Sequence, residues 1–270
     1  MKNLYSRKSI CFILWLYLVI AAYFNSLFYI EGLAHLSPRA EKINIDFLSQ
    51  RADMNFTESE FALIKEQTGL GKAAVNALEN SVALKKYQDI FYTVPDYRCI
   101  RWSPISWEEH VEYPCVDFPS LEDGDILITR SSHIMSWRNG HAAIVIDAEK
   151  GLTAEAVVIG ERSSVQDISK WKHYPNFLVL RLKNATAEER KLIAEAAEKY
   201  LVDKPYYVFV GIFPAKYSSI DKVSGTQCAH LVWSAYASRG YDIDSDKGLI
   251  VTPEDIAGSE LLEAVQSYGY

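Results

Sequence analysis

The chain has 270 residues, of which 49% are hydrophobic and 23% charged; these ordinary globular proportions exclude a disordered, collagen-like or coiled-coil protein and allow one large domain or two small ones. Lys plus Arg number 28 against 35 for Asp plus Glu, a formal charge of −7, which argues against a nucleic-acid backbone partner and its need for a basic stripe. Four cysteines are too few for a disulfide scaffold.

Residues 1–34 read as a signal peptide or membrane anchor. Lys2, Arg7 and Lys8 precede an apolar run over 10–24; Asn25 and Ser26 interrupt it, and 27–30 resume it. The uninterrupted part suits a signal-peptide core, whereas the whole stretch would just span a bilayer. The basic flank places the rest of the chain outside the cytoplasm, so the expected location is the cell membrane with an extracytoplasmic domain, or a secreted protein if the segment is cleaved. Cys11 stands at the start of the run and so is not a lipoprotein cysteine.

Residues 35–119 form a helical prefix and an aromatic linker. Phe61, Ile64, Leu70, Val75, Leu78 and Val82 recur at helical spacing, and 67–75 read as helix, glycine turn, helix, a spacer or lid over the core. Cys99 and Cys115 could close a disulfide worth about 3 kcal/mol in the chain-entropy model, or remain two unpaired buried thiols. From Gly124 the pattern changes to strands at 125–129, 141–146, 153–159 and 177–182. Thr186 and Glu189 make a capping box for a helix whose stripe includes Leu192, Ile193, Ala196 and Ala197. Ser224 and Gln227 read as a second box opening a helix over 228–238, and Thr252-Pro253 opens a short final one.

Chemistry concentrates on three residues. Cys228 falls in the first turn of its helix, where free N–H groups and the positive dipole end favour a thiolate and can bind an oxyanion. A cysteine nucleophile needs an imidazole base that is itself oriented by a polar group. His141 begins an otherwise apolar strand, and Glu155 is a carboxylate inside the next one. Each also has an ordinary reading: Cys228 shares a helix face with Leu231, Val232 and Ala235 and could be plain core, and His141 and Glu155 could face water at strand ends. If 148–151 form the turn, a simple hairpin register sets Glu155 opposite Ile144, so a bulge or another turn is needed to bring it to His141. His230, two positions after Cys228, points to another helix face; His133, in the 131–140 segment, is a lesser candidate. No Cys-x-x-Cys, His-x-x-x-His or acidic calcium loop appears, so no metal or other cofactor is expected.

The segments Gly124-Asp125-Ile126-Leu127, Gly140-His141-Ala142-Ala143-Ile144-Val145, Glu155-Ala156 and Cys228-Ala229-His230-Leu231-Val232-Trp233 follow the motif order of the YiiX-like proteins. The chain resembles these circularly permuted members of the NlpC-type papain-like hydrolases over about 120–260. The resemblance implies an α+β fold, a small antiparallel sheet or partial barrel with the cysteine helix packed on it, within a catalytic domain over 120–270. It implies Cys228 as nucleophile, His141 as base and Glu155 as orienting acid. Pro205-Tyr206 matches the family's Pro-Tyr, making Tyr206 site-lining, with Tyr207 and Gln227 as further substrate-binding residues. Ala229-His230 departs from the Ser and acid or amide that commonly follow the cysteine.

The expected function is therefore an exported, membrane-anchored cysteine amidase or peptidase acting on a cell-wall peptide or an N-acyl, lipid-type amide. The aromatic-rich stretch Tyr206, Tyr207, Phe209, Phe213 and Tyr217 suits an acyl chain. The alternative is a catalytically silent ligand- or lipid-binding module of the cell surface on the same fold.

Overall fold

A computed structural model describes residues 7–35, 40–93, 97–99, 105–110, 116–134, 137–216 and 219–270. Helix α1 (Arg7–His35) is followed by four helices, α2 (Asp46–Ser49), α3 (Glu58–Thr68), α4 (Lys72–Asn76) and α5 (Ala83–Phe91). Strands β1 (Tyr97–Cys99), β2 (Ile105–His110), β3 (Ile126–Thr129), β4 (Ser132–Ile134), β5 (Trp137–Arg138), β6 (His141–Asp147), β7 (Leu152–Glu155), β8 (Ser164–Asp167) and β9 (Phe177–Leu182) come next. The chain ends with α6 (Ala187–Leu201), α7 (Cys228–Ala237), α8 (Pro253–Ala257) and β10 (Leu262–Tyr268).

The main sheet is antiparallel and open, in the order β10-β9-β3-β6-β7-β8, and β1-β2-β4-β5 form a smaller one. The fold is α+β with no closed barrel among the described residues. Alternation along the strands gives the main sheet two apolar faces. Ile126, Ile128, Ala142, Ile144 and Ala154 face Ile193 and Ala197 of α6 and Leu231, Val232 and Ala235 of α7. Leu127, Ala143, Val145 and Val179 face the other way, onto Ile45, Ile64, Val75 and Leu84 of the N-terminal helices. Fully buried strands covered on both faces read as the continuous apolar runs seen at β3, β6 and β9.

The helix–glycine turn–helix reading holds for α3, Gly69 and α4. Gly69 sits at φ 72°, and a Cβ there would lie 1.9 Å from the Ser267 carbonyl oxygen of β10. Both backbones touch: Ser267 N donates to Gly69 O, and Gly71 N to Val265 O. The prefix therefore continues the core onto the second sheet face, which is more than a spacer would do. Gly124-Asp125 also has a packing role. The buried Asp125 carboxylate takes a bidentate bond from Arg181 (2.8 and 2.7 Å), tying the start of β3 to β9.

Several expectations change. The third strand ends at Glu155 and not at 159. The 131–140 segment contains β4 and β5, and the 96–120 linker contributes β1 and β2. Thr186 and Thr252 cap α6 and α8 as the sequence suggests, but α7 is capped by Gln227 itself, not by Ser224. The side chain of Gln227 accepts from Ala229 N at 2.8 Å, a reach that Ser224, four residues before the helix, does not have. In α1 the exposed side chains include Ile10, Phe12, Ile13, Leu14, Trp15, Leu18 and Ile20. Among the described residues no helix is long and apolar enough to cross a membrane, so the spanning form of the anchor is not found. The interruption at Asn25-Ser26 leaves an apolar run of about 15 residues, short of the roughly 20 a crossing needs. The Cys99–Cys115 pairing lies outside the described residues.

Candidate active site

The hairpin of β6 and β7 resolves the register problem. Asp147 pairs with Leu152, but Val145 pairs with Thr153 and Ile144 with Ala154, so β6 gains one residue at Ile146. This bulge shifts the register by one and reverses which face each β7 side chain takes. Continued past Ala154, the shifted register sets Glu155 opposite Ala143, on the same sheet face as His141 two residues away. That is a diagonal cross-strand pair, within reach of a long side chain.

His141 Nε2 and Glu155 Oε2 are 2.7 Å apart, and both residues are buried. They do not face water at strand ends. Glu155 collects four donors. Oε1 accepts from Thr153 Oγ1 at 2.6 Å and Trp171 Nε1 at 3.0 Å, and Oε2 meets His141 and Lys170 Nζ, the latter also at 2.7 Å. With four donors for a carboxylate's four lone-pair directions, Glu155 is fully satisfied and held in one orientation. The Trp171 ring stacks on the imidazole, with centroids 5.6 Å apart and planes 18° from parallel. Lys170 and Trp171 come from a 3₁₀ turn at Ile168–His173, a short element with no chemical signature in the sequence.

Cys228 opens α7, and its side chain is near enough to His141 to be among the groups that raise the imidazole. Nε2 is committed to Glu155, which leaves Nδ1 for the thiol. Burial opposes a charge on His141, yet its bonds to Cys228 and Glu155 outweigh burial and raise the imidazole above its ordinary range. Burial likewise opposes the Glu155 charge, and the bond to His141 together with Lys170 holds the carboxyl below its ordinary range. The pair therefore favours carboxylate and imidazolium near neutral pH.

The other expected residues are placed as follows. Burial and the Cys228 charge push the half-buried Tyr206 phenol well above its usual range, and its backbone pairs with Thr226, two residues before Cys228. Tyr207 is more exposed, and its ring lies against Gly225, where a Cβ would be 2.2 Å from Cδ2. Gln227 spends both ends of its amide within the protein: Oε1 on Ala229 N and Nε2 on Val251 O at 2.6 Å. Phe209 and Phe213 are 65% and 81% exposed, and Tyr217 lies outside the described residues.

The remaining histidines are set apart. His230 bonds Thr226 Oγ1 at 3.0 Å and the Lys216 carbonyl, and burial pushes it down to about 4. His133 belongs to β4 in the small sheet, near the buried Glu108–Arg138 pair; burial, with Arg138, pushes it down to about 3. Both are weak bases at neutral pH, whereas His141 has an acid partner on Nε2 and is raised by the neighbouring Cys228.

No family model matches the chain, and no curated protein matches it. Among solved structures it is similar to the metalloprotein YiiX from Escherichia coli O157:H7, with a TM-score of 0.42 and 18% identity, covering 54% of this chain and 98% of that one.

Proposed function

We propose that the protein is a cysteine-dependent amide hydrolase with the permuted NlpC-type, papain-like arrangement of groups. The observation that carries this reading is the buried imidazole of His141, bonded at Nε2 to Glu155 and raised by the neighbouring Cys228 at a helix start. The proton of Cys228 already rests on the raised imidazole of His141, so Sγ attacks the amide carbonyl as thiolate, and the C–N bond then breaks as the imidazolium protonates the departing amine. Water, deprotonated by the now neutral His141, hydrolyses the thioester and restores the thiolate and imidazolium. The N–H of Cys228 faces the developing oxyanion from the first turn of α7. Glu155 holds the ring and stabilises the imidazolium without itself taking the proton.

The exposed apolar side chains of α1 support attachment to a membrane, and the basic flank at Lys2, Arg7 and Lys8 supports an extracytoplasmic catalytic part. Tyr206, paired with Thr226 just before the cysteine helix, together with exposed Tyr207, Phe209 and Phe213, supports an N-acyl, lipid-type amide over a cell-wall peptide. The experiment is alkylation of the full-length chain at pH 6, read residue by residue by mass spectrometry, with exposed Cys11 as internal comparison. Cys228 labels faster than Cys11, and His141→Ala removes the advantage. Labelling of Cys228 that is slow and indifferent to His141→Ala refutes the reading. Amine release from N-acyl lipids and from cell-wall peptides, compared side by side, assigns the substrate class.

A further inference from the structure

A second cluster of ionisable groups spans the segment after α7 and the first turn of α8, separate from the Glu155 carboxylate and its donors. Asp244, Asp246 and Asp255 each present one carboxylate oxygen within 4.8 Å of the other two. Their hydrogen bonds use only part of each group. Asp244 Oδ2 bonds the Lys216 ammonium, Asp246 Oδ1 accepts from Gly248 N at 2.6 Å, and Asp255 Oδ2 caps α8 through Thr252 N and Oγ1 at 2.8 and 2.6 Å. An independent observation concerns Asp244: the residue is 1% exposed, and its Oδ1 has no hydrogen-bond partner. With Oδ2 turned to Lys216, Oδ1 is the oxygen left for the cluster. A buried carboxylate oxygen without a donor is costly, and the cost disappears when a cation meets it.

We infer that Asp244, Asp246 and Asp255 form a binding site for a hard divalent cation of the calcium class. Oxygen ligands lie about 2.4 Å from calcium, so three carboxylate oxygens within 4.8 Å of one another can be reached by one ion. Three protein carboxylates suit calcium, which takes many oxygen ligands, better than magnesium, which keeps several waters and is usually held by one or two carboxylates. Lys216 does not fill this position: it approaches Asp244 on the other oxygen, donates to Gly248 O at 3.0 Å and lies over the Trp233 ring. Lys247 is the other nearby cation; it follows Asp246 in the chain and is exposed.

The site adjoins the cysteine helix. Val251, between Asp246 and Asp255, accepts from the cap residue Gln227, and the Lys216 carbonyl is bonded to His230 of α7. A bound ion would fasten the 242–255 segment to α8 and so steady the cap of the helix that begins with Cys228.

The test uses the full-length chain freed of metal with a chelator and titrated with Tb3+. Trp233 donates its Nε1–H to Asp242 Oδ1 at 2.8 Å, which places an indole sensitiser at the edge of the cluster. Sensitised emission is expected to saturate, to be displaced by Ca2+ at concentrations where Mg2+ has little effect, and to need at least tenfold more Tb3+ in Asp246→Asn. Ca2+ should raise the Tm of the wild-type chain and leave that of Asp246→Asn unchanged. Asp246 is exposed, so the variant should fold, and its unchanged Tm in chelator verifies this. Asp221→Asn, at another exposed acid, should behave as wild type. Emission that does not saturate, preference for Mg2+, or indifference to Asp246→Asn overturns the assignment. None of these readouts depends on the chemistry of Cys228.

Discussion

Glu155→Gln separates the charge of the acid from its shape. In the wild type, Oε1 serves Thr153 and Trp171, and Oε2 serves His141 and Lys170. A glutamine can keep its carbonyl toward Thr153 and Trp171, so those two bonds survive. Its NH2 group then faces His141 and Lys170, two donors with no acceptor. A hydrogen bond involving a charged group contributes roughly 1.5–3 kcal/mol. His141 can shed its proton and Lys170, about a third exposed, can turn to water, so the net loss is about 2–4 kcal/mol. For a domain of this size that lowers Tm by roughly 5–15 °C. The sign of the pH dependence follows from linkage. Folding raises the pKa of His141, so its contribution is complete below the ordinary imidazole value of 6.5 and is lost as pH rises through the raised folded value. Folding lowers the pKa of Glu155, so its contribution is present above 4.5 and is lost as pH falls through the lowered folded value. Both contributions coexist between those limits. Thermal unfolding from pH 5 to 9, with the His141 imidazole followed by NMR, should show wild-type stability declining above pH 6.5 more steeply than in Glu155→Gln. The imidazole of the variant should titrate at lower pH. A Tm within about 2 °C of wild type and an unmoved His141 titration would refute the pairing.

Two further outcomes follow from the same geometry. Lys170→Met removes the cation that shares Oε2 with the imidazole; the undivided carboxylate should then hold the His141 proton to higher pH, which the NMR titration reads directly, and Lys170→Arg should restore the wild-type value. Gln227→Ala removes the only side-chain cap of α7 and a bond to Val251. It should cost about 1–2 kcal/mol in urea unfolding and slow alkylation of Cys228, whereas Ser224→Ala, at the position the sequence favoured as the cap, should leave both unchanged.

What was legible in the sequence depended on whether the signal was local. Thr186 with Glu189, and Thr252 before Pro253, announce their helices because a cap is a contact between near neighbours. Strands β3, β6 and β9 are legible because both faces of the sheet are covered and every position is apolar. β10 was not: its register slips between Ala264 and Gln266, which breaks the alternation that marks a strand. Gln227 as a cap was missed because glutamine rarely takes that role; here the acceptor Val251, 24 residues away, fixes its amide. Asp255 joins Asp244 and Asp246 only through the turn into α8, so the acidic cluster does not match the spacing of a continuous calcium loop.

The site shows the same division more sharply. Cys228 and His141 stand out by residue type at a helix start and a strand start, and Glu155 stands out as a carboxylate in an apolar strand. Their meeting depends on Ile146, an ordinary β-branched residue with no glycine or proline to signal a bulge. Had the Asp147–Leu152 pairing continued unshifted, Glu155 would face Ile144, on the sheet side packed by α6 and α7. It would there be a buried carboxylate among aliphatic side chains, on the opposite face from His141 and Trp171. The demand of that carboxylate for donors thus offers a physical reason for the shift: of the two registers, only the bulged one supplies four. The local cost of one unpaired strand residue at Ile146 is small beside that of burying an unpartnered charge. The hairpin's irregularity and the proposed catalytic pair are, on this argument, one feature selected by the same electrostatics.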